Sequence, residues 1–374
     1  MNITVEEVLS SKDLKTFIKF PFGLYKGNEY YVPPIIDFEV STLSRKKNPA
    51  FDHADAKYFL AKQDGKIVGR IAGIILNEEL SEKKLMRFGW IDFIDDKNVS
   101  KALFDAILNW GKEQGAESIH GPMGFTDLDF EGSLIEGFDQ LTTQATIYNH
   151  PYYHQHYENL GFEKACDWVE LRGTVPKELP RRLTRVASII TSRFKLEVKK
   201  FKSSKQILKY ANAVFELLNE CYGDLYGYHP LTEKQIKYYV DMYFGFIRIE
   251  YVTLIVNEND DVVAFAISLP SLSKAFQKAK GSLYPFGFIH VLKAFKSNKH
   301  LDMFLIGVKP EYQKMGASPL IFHELLNTYI NKGVTHVASG PMMEENRGVL
   351  NLWNEYQDNV STDSIKRRCY IKAI

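Results

Sequence analysis

One stretch constrains the fold of this chain more than any other. Leu305, Ile306, Gly307 and Val308 form an apolar run, Lys309 to Ser318 is a short polar turn, and an amphipathic run opens at Pro319, with Leu320, Ile321, Leu325, Leu326 and Tyr329 on or near one face. The pattern predicts a strand, a tight turn and a helix. Such a junction leaves several backbone N–H groups pointing into one space with the positive end of the helix dipole behind them. It is a seat for a phosphate. The candidate donors are the amides of Lys314, Met315, Gly316, Ala317 and Ser318, because Gly316 lets the backbone approach closely and small residues follow it. Pro319 suits the first helical turn, where an N–H would have no intrahelical partner. The dipole contributes roughly 0.3 to 1 kcal/mol per charge at an exposed terminus, which favours an anion without naming it. The same stretch is also compatible with a purely structural glycine turn.

At 374 residues the chain is long enough for two domains. Its 45% hydrophobic and 25% charged residues are those of a globular protein. With 47 basic against 46 acidic side chains the net charge is +1, so no nucleic-acid partner is expected. Cys166, Cys221 and Cys369 are far apart in sequence and none belongs to a C-x-x-C pair, which suggests neither a disulfide framework nor a zinc site. They read as reduced cysteines of a cytoplasmic protein. The first ten residues lack a basic start followed by an apolar run, and no uncharged apolar segment of about 18 residues occurs, so neither a signal peptide nor a membrane span is expected.

In chain order, Ile3 to Val8 alternates like a strand and Ser11 to Phe20 reads as a helix stopped by Pro21, followed by a short helix ending at Leu43. Asp64-Gly65 between Tyr58 and Leu76 predicts a hairpin. Arg87 to Phe93 is a strand, Ser100 is the expected cap of a helix ending near Gly115, and Ser118 to Gly121 is a strand. Tyr152 to Leu160 is helical and Lys164 to Leu171 a strand. The Pro-flanked stretch 173–180 divides the chain into 1–175 and 176–374. The second part repeats the order: a helix over 207–218, a hairpin around 257–261, the strand and turn above, a strand over 336–339, a helix over 347–356 and a last strand near 365–371. Gly115 to Met123 echoes Gly333 to Met342, each directly after a helix, which suggests duplication. Mixed strands and helices in this order predict α/β architecture.

Gln313-Lys314-Met315-Gly316-Ala317-Ser318 resembles the Q/R-x-x-G-x-G/A acyl-coenzyme A signature of the GCN5-related N-acetyltransferase (GNAT) superfamily, with Ser318 in place of the final Gly or Ala. Tyr157-Glu-Asn-Leu-Gly-Phe162 resembles the family's Y-E-K-L-G-F helix, in which a tyrosine often serves as general acid. Gly121 to Asp139, which runs into an insert at about 124–148, and Tyr148 to Tyr153 are similar to a group of bacterial two-domain GNAT proteins, loosely associated with ceramide-synthase-like N-acyltransferases. The resemblance implies two tandem GNAT domains with mixed sheets flanked by helices, the first degenerate and the second carrying the pyrophosphate turn. Acetyl-CoA or a longer acyl-CoA would be the co-substrate and a small-molecule or lipid amine the acceptor. Gly307, Val308, Gln313 to Ser318 and Asn346 would hold the cofactor. The segment Asp92 to Ser100, with aspartates at 92, 95 and 96, has no such turn, and carboxylates repel a pyrophosphate.

Acyl transfer needs a neutral amine, a polarised carbonyl and a proton for the thiolate. The Val308 amide is the candidate for the carbonyl and Tyr356 for the proton, since Trp353 stands at the family's tyrosine position; Tyr157 is the alternative acid if the halves share one cleft. Glu345, Glu344 and Asp302 are the candidate bases, or ordinary solvated carboxylates. Asp127, Asp129, Glu131, Glu136 and Asp139 make either an acidic wall for a cationic amine or a solvated Ω-loop. His150, His154 and His156 read as a helix surface rather than a zinc site. Residues 271–299 interleave six lysines with aromatics, either as a peripheral membrane contact or as a packed connector with snorkelling lysines. A second class of function remains open: a non-catalytic ligand-binding or partner-binding module on a decayed tandem scaffold. The oligomeric state is not legible.

Overall fold

The computed structural model describes residues 2–315, 317–346 and 364–374. The chain forms two compact units, one of residues 1–169, 273–291 and 365–374, the other of 170–272 and 292–364. The first break lies close to the stretch 173–180. The two returns to the first unit have no counterpart in a linear reading.

The first unit opens with β1 (Ile3–Glu7), α1 (Ser11–Leu24), α2 (Ile36–Thr42), β2 (Ala54–Gln63), β3 (Lys66–Leu76) and α3 (Asn77–Lys83). It continues through β4 (Leu85–Phe93), α4 (Lys97–Glu113), β5 (Ser118–Gly121), β6 (Ser133–Glu136), α5 (Tyr153–Asn159) and β7 (Glu163–Glu170). The second unit contains β8 (Arg172–Thr174), α6 (Arg181–Phe194), β9 (Glu197–Lys199), α7 (Ser204–Leu208), α8 (Ala211–Tyr222), α9 (Glu233–Tyr243), β10 (Val252–Val256) and β11 (Val262–Pro270). The chain then passes through α10 (Ser273–Ala279) and α11 (Gly287–Ser297) to β12 (His300–Val308), α12 (Pro310–Lys314), α13 (Ser318–Asn331), β13 (His336–Ala338), β14 (Met342–Met343) and β15 (Ile365–Ala373).

In the first unit the strands lie in the order β1-β2-β3-β4-β5-β15-β7, with β6 also on β15. The β2–β3 hairpin turns at Asp64 and Gly65, both at positive φ (49° and 78°), as a two-residue turn between right-twisted strands requires. Helix α4 can lie close on β3 because the strand carries glycines beneath it: a Cβ on Gly69 would come within 2.8 Å of Leu103, and one on Gly73 within 3.1 Å of Trp110. Phe88, Phe93, Phe104, Tyr153, Tyr157 and Tyr370 fill the core behind. In the second unit the order is β8-β13-β12-β11-β10-β9, and α6 and α13 bury Leu183, Ala187, Leu320, Ile321 and Leu325 against Val263, Met303 and Val308.

Several local expectations are corrected. Helix α1 does not stop at Pro21; the carbonyl that proline leaves unpaired one turn back, that of Phe17, accepts from Arg70 Nη1 at 3.1 Å. Helix α4 is capped by Asp96, which accepts from the Asn98 amide at 2.8 Å, while Ser100 is buried within the helix. The helix expected over 207–218 is two, α7 and α8. Strand β15, expected to complete the second half, instead pairs antiparallel with β5 and β6. That placement brings Cys369 of β15 against Cys166 of β7, both free thiols, and their contact with burial raises the Cys166 pKa. The helix expected over 347–356 lies outside the described residues.

The echo between the halves corresponds to equivalent structure. Gly115 and Gly333 both take positive φ (89° and 67°) after α4 and α13, and each leads into a strand running parallel to the unit's central strand. β4 and β5 pair from Leu85/Ser118 to Arg87/His120, and β12 and β13 from His300/His336 to Asp302/Ala338. Beyond those rows β4 runs on to Phe93 and β12 to Val308 without the partner, so each unit has a parallel pair that opens.

Candidate functional site

In the second unit the opening is followed by the turn picked out in the sequence. Lys309 N–H donates to the Val263 carbonyl at 2.9 Å, closing the β11–β12 ladder. Antiparallel pairs alternate between bonded and non-bonded, so at the preceding pair, Ala264/Val308, both polar groups of Val308 face away from β11, toward the opening. On that side the Val308 carbonyl accepts from Gln313 Nε2 (2.6 Å) and Cys221 Sγ (3.3 Å), and the Ile306 carbonyl from the Tyr222 hydroxyl (3.1 Å). Gln313, the first residue of the signature, therefore folds back onto the strand end that carries the Val308 amide.

The turn is more structured than its composition suggests. Helix α12 holds Lys314, Met315 N–H donates to the Gln313 carbonyl, and Ala317 N–H donates to the Tyr312 carbonyl at 2.9 Å. Two of the five candidate amides are thus used within the turn. Pro319 occupies the first turn of α13, where an N–H has no intrahelical partner. Ala317 is fully buried in the core, and Gly316 lies outside the described residues. Gly307 has a packing role, since a Cβ there would lie 2.5 Å from the ring of its cross-strand partner Phe265. Glu345 and Asn346 are exposed and Glu344 half-buried, in the segment after β14. Tyr356 and Trp353 lie outside the described residues.

Asp302 is not a solvated carboxylate. It sits at the last paired row before β12 and β13 diverge, 5% exposed, and burial pushes its carboxyl up to about 7. Its register partner is Ala338, and Ala338 in turn pairs with Arg172 of β8, so Arg172 and Asp302 share a row and the guanidinium moderates the shift. A carboxyl titrating near neutrality is suited to taking a proton from an amine. The sequence offered Asp302 as one acid among many; only its burial singles it out.

The opening of the first unit is built differently. Ile94 N–H donates to Val68 O at 3.0 Å, as Lys309 does to Val263, so Phe93 stands where Val308 stands. Its outward amide is already taken, donating to the Tyr153 hydroxyl at 3.1 Å. Asp92 accepts from Arg70 Nε (2.7 Å), Tyr25 (2.7 Å) and Tyr153 (3.3 Å). Asp95 Oδ1 lies 2.9 Å from His156 Nε2, whose Nδ1 is 2.8 Å from Ser100 Oγ. With Asp96 as cap, each aspartate of this segment has a structural partner. His156 is buried, contrary to the expected helix surface, and His150 stacks on Tyr152. Tyr157 is wholly enclosed, receives a hydrogen bond from Ser133 Oγ at 3.3 Å, and has its pKa raised well above the usual value by burial.

The insert is neither a uniform acidic wall nor a solvated loop. Asp127, Asp129 and Glu131 turn inward, with burial pushing Asp127 up to about 6 and Asp129 to about 7, while Glu136 and Asp139 are exposed. Asp129 accepts the Phe125 amide at 2.8 Å and the Thr126 amide at 3.2 Å, pinning the insert's first turn.

Between β4, α1, α2 and the insert, the first unit lines a small cleft, open at its mouth, with about 40 Å³ of room for water-sized groups. Tyr25, Tyr31, Trp90, Tyr148 and Tyr153 give it aromatic walls, with Glu39, Arg70 and Asp92 among its lining. Trp90 reaches it through a bulge: the β3–β4 register slips there, Trp90 takes φ 41°, and its indole Nε1 donates to Glu39 Oε2 at 2.6 Å. Sequence reading missed this site, whose residues come from segments with no shared periodicity.

Two α/β units, each with a parallel pair opening beside a helix, define a tandem GNAT fold. No family model matches the chain. Among solved structures it resembles a GCN5-related glucosamine N-acetyltransferase region of a fungal multi-domain GH3 β-N-acetylglucosaminidase, with TM-score 0.59 and 16% identity over 99% of this chain and 38% of that one. It also resembles a tandem GNAT protein from the clavulanic acid biosynthesis pathway, with TM-score 0.57 and 9% identity over 100% and 98% of the two chains. In sequence it is 30% identical to protein YghO of Escherichia coli K12 over 384 residues, 99% of this chain and 95% of YghO. It is 30% identical to the bacterial ceramide synthase of Caulobacter vibrioides over 329 residues, 83% and 82% of the two. The chain thus has a tandem GNAT fold and belongs to the family that holds YghO and this ceramide synthase.

Proposed function

We propose that the chain is an N-acyltransferase that moves an acetyl or longer acyl group from coenzyme A to a primary amine, with the second unit binding the donor. The amine nitrogen attacks the thioester carbonyl, the C–S bond breaks, the nitrogen loses a proton and the departing thiolate gains one. The observation that carries this reading is the outward Val308 amide at the mouth of the β12–β13 opening, directly before the Q-x-x-G turn; its counterpart in the first unit, Phe93, is capped by Tyr153. A donor aimed at that opening would polarise the carbonyl as negative charge develops on its oxygen. Asp302 is the base we favour, ahead of Glu345, and Tyr356 the acid. Isothermal titration with acetyl-CoA and palmitoyl-CoA tests donor binding, and thiol release across an amine panel tests turnover. Binding without turnover would support the decayed-module reading, and no binding of either thioester would overturn the proposal.

One observation favours a lipid amine as acceptor. Tyr284, Phe286, Phe288, Ile289 and Leu292, in the loop before α11 and on that helix, are 40 to 76% exposed. The stretch 262–301 contains six lysines, all exposed, and no acidic residue. Aromatic side chains beside lysines suit the interface of an anionic bilayer. Among the described residues no helix is long and apolar enough to cross a membrane, so the contact would be peripheral. Sedimentation with phosphatidylglycerol-containing liposomes, reduced in a Phe286→Ser/Phe288→Ser variant, is the expected result; equal sedimentation of both proteins would remove this reading.

A further inference from the structure

The cleft of the first unit has the chemistry of a ligand site that acyl transfer in the second unit does not use. Its charged lining, among the described residues, is Glu39, Asp92 and Arg70. Arg70 is committed: Nε and Nη2 hold Asp92 at 2.7 Å, and Nη1 holds the Phe17 carbonyl. Asp92 is saturated by Arg70, Tyr25 and Tyr153. Among the described residues Glu39 accepts from one neutral donor, the Trp90 indole, and forms no ion pair. It is 6% exposed, and burial raises its pKa, moderated by Trp90 and by Arg70.

Other polar groups in the cleft are used internally. Asn149 bridges both backbone groups of Leu134 (2.6 and 3.0 Å), Tyr148 donates to the Phe138 carbonyl, and Ser133 donates to Tyr157. The exception is Tyr31, whose hydroxyl is shut off from solvent and has no hydrogen-bond partner among the described residues. A buried hydroxyl without a partner is costly unless something fills its place. The site therefore lacks one positive charge with N–H donors, between a carboxylate and a phenol oxygen, inside walls of aromatic rings that attract cations.

We infer that the first-unit cleft binds an organic ammonium ion with an apolar body, its charged end between Glu39 and Tyr31 and its body against Tyr25, Trp90 and Tyr148. The Arg70–Asp92 pair is the fixed floor that keeps the site's net charge at minus one when Glu39 is ionised. The inference does not depend on acyl transfer, because it is read from binding with no coenzyme A present.

The test is calorimetric titration of the protein at neutral pH with 2-phenylethylamine and, as an uncharged analogue, 2-phenylethanol. The expected result is binding of the amine, with the alcohol at least about tenfold weaker. Glu39→Gln, which keeps an acceptor for Trp90, should weaken the amine about tenfold and leave the alcohol unchanged; Tyr31→Phe should weaken the amine about threefold. Circular dichroism and melting curves report whether each variant folds. Should Glu39→Gln not fold, the amine-to-alcohol contrast and Tyr31→Phe decide. Equal binding of amine and alcohol, no binding of the amine, or full amine affinity in both folded variants would overturn the assignment.

Discussion

The two units contain the same opening in different surroundings. In each, a central strand outruns its parallel neighbour and a following N–H closes the antiparallel ladder, Ile94 to Val68 in one and Lys309 to Val263 in the other. The outward amide just before that bond is Phe93 in the first unit, bonded to Tyr153, and Val308 in the second, whose carbonyl is held by Gln313 and Cys221. Where the second unit has its Q-x-x-G turn, the first has a segment whose aspartates serve a floor pair, a buried histidine and a helix cap. A repeated fold thus keeps its backbone geometry while side chains cap the outward amide of one opening and hold the neighbouring carbonyl in the other.

The comparison can be broken most sharply at the turn. Gly316→Glu places a carboxylate where a diphosphate is expected and should cost about a hundredfold or more in acyl-CoA affinity. Asp95→Asn in the first unit should leave that affinity unchanged, and calorimetry with acetyl-CoA reads both. If the two behave alike, the units do not divide the work as proposed.

Next in size is the floor of the first cleft. Arg70→Met strips the partner from buried Asp92 and should destabilise the protein by about 3 to 5 kcal/mol in denaturant titration. Tyr153→Phe, which uncaps the Phe93 amide and removes one bond to Asp92, should cost about 1 to 3 kcal/mol. Were Tyr153→Phe neutral, the amide would have another acceptor and the contrast with Val308 would weaken.

Asp302 gives a pH signature. Its folded pKa of about 7 exceeds the ordinary aspartate value of 3.8, so the native state holds the proton more tightly. Its unfavourable contribution is absent below the unfolded pKa and grows as pH rises from about 4 toward 7. Asp302→Asn should therefore flatten the fall in stability across that window. If Asp302 is the base, the wild-type acyl-transfer rate should rise through about pH 7 and the variant should lose that rise. The smallest effect is expected at α4: Asp96→Ala removes the cap and should cost about 1 kcal/mol, measured by thermal melting.

Much of this could be read from the chain. The Asp64-Gly65 hairpin, the strand entering the Gln313 turn and the helix behind Pro319 follow from residues within a few positions of one another. So does the echo around Gly115 and Gly333, where a glycine just past a helix end takes positive φ. Pro21 misled because its cost is local while the compensating donor, Arg70, comes from a strand far along the chain. Ser100 misled because Asp96 offered the same capping chemistry four residues earlier.

By itself, then, the sequence determined what short-range physics encodes: turn dihedrals, apolar periodicity and the order of elements in two α/β halves. Tertiary structure alone decided that β15 returns to the first unit's sheet, that Tyr157 is sealed in a core, that Asp302 is buried while Glu345 is exposed, and that Glu39, Tyr31, Arg70 and Trp90 meet around one cleft. Those outcomes depend on strand pairing between distant segments and on the loss of water around charged groups, and neither quantity has a local signature in the order of residues.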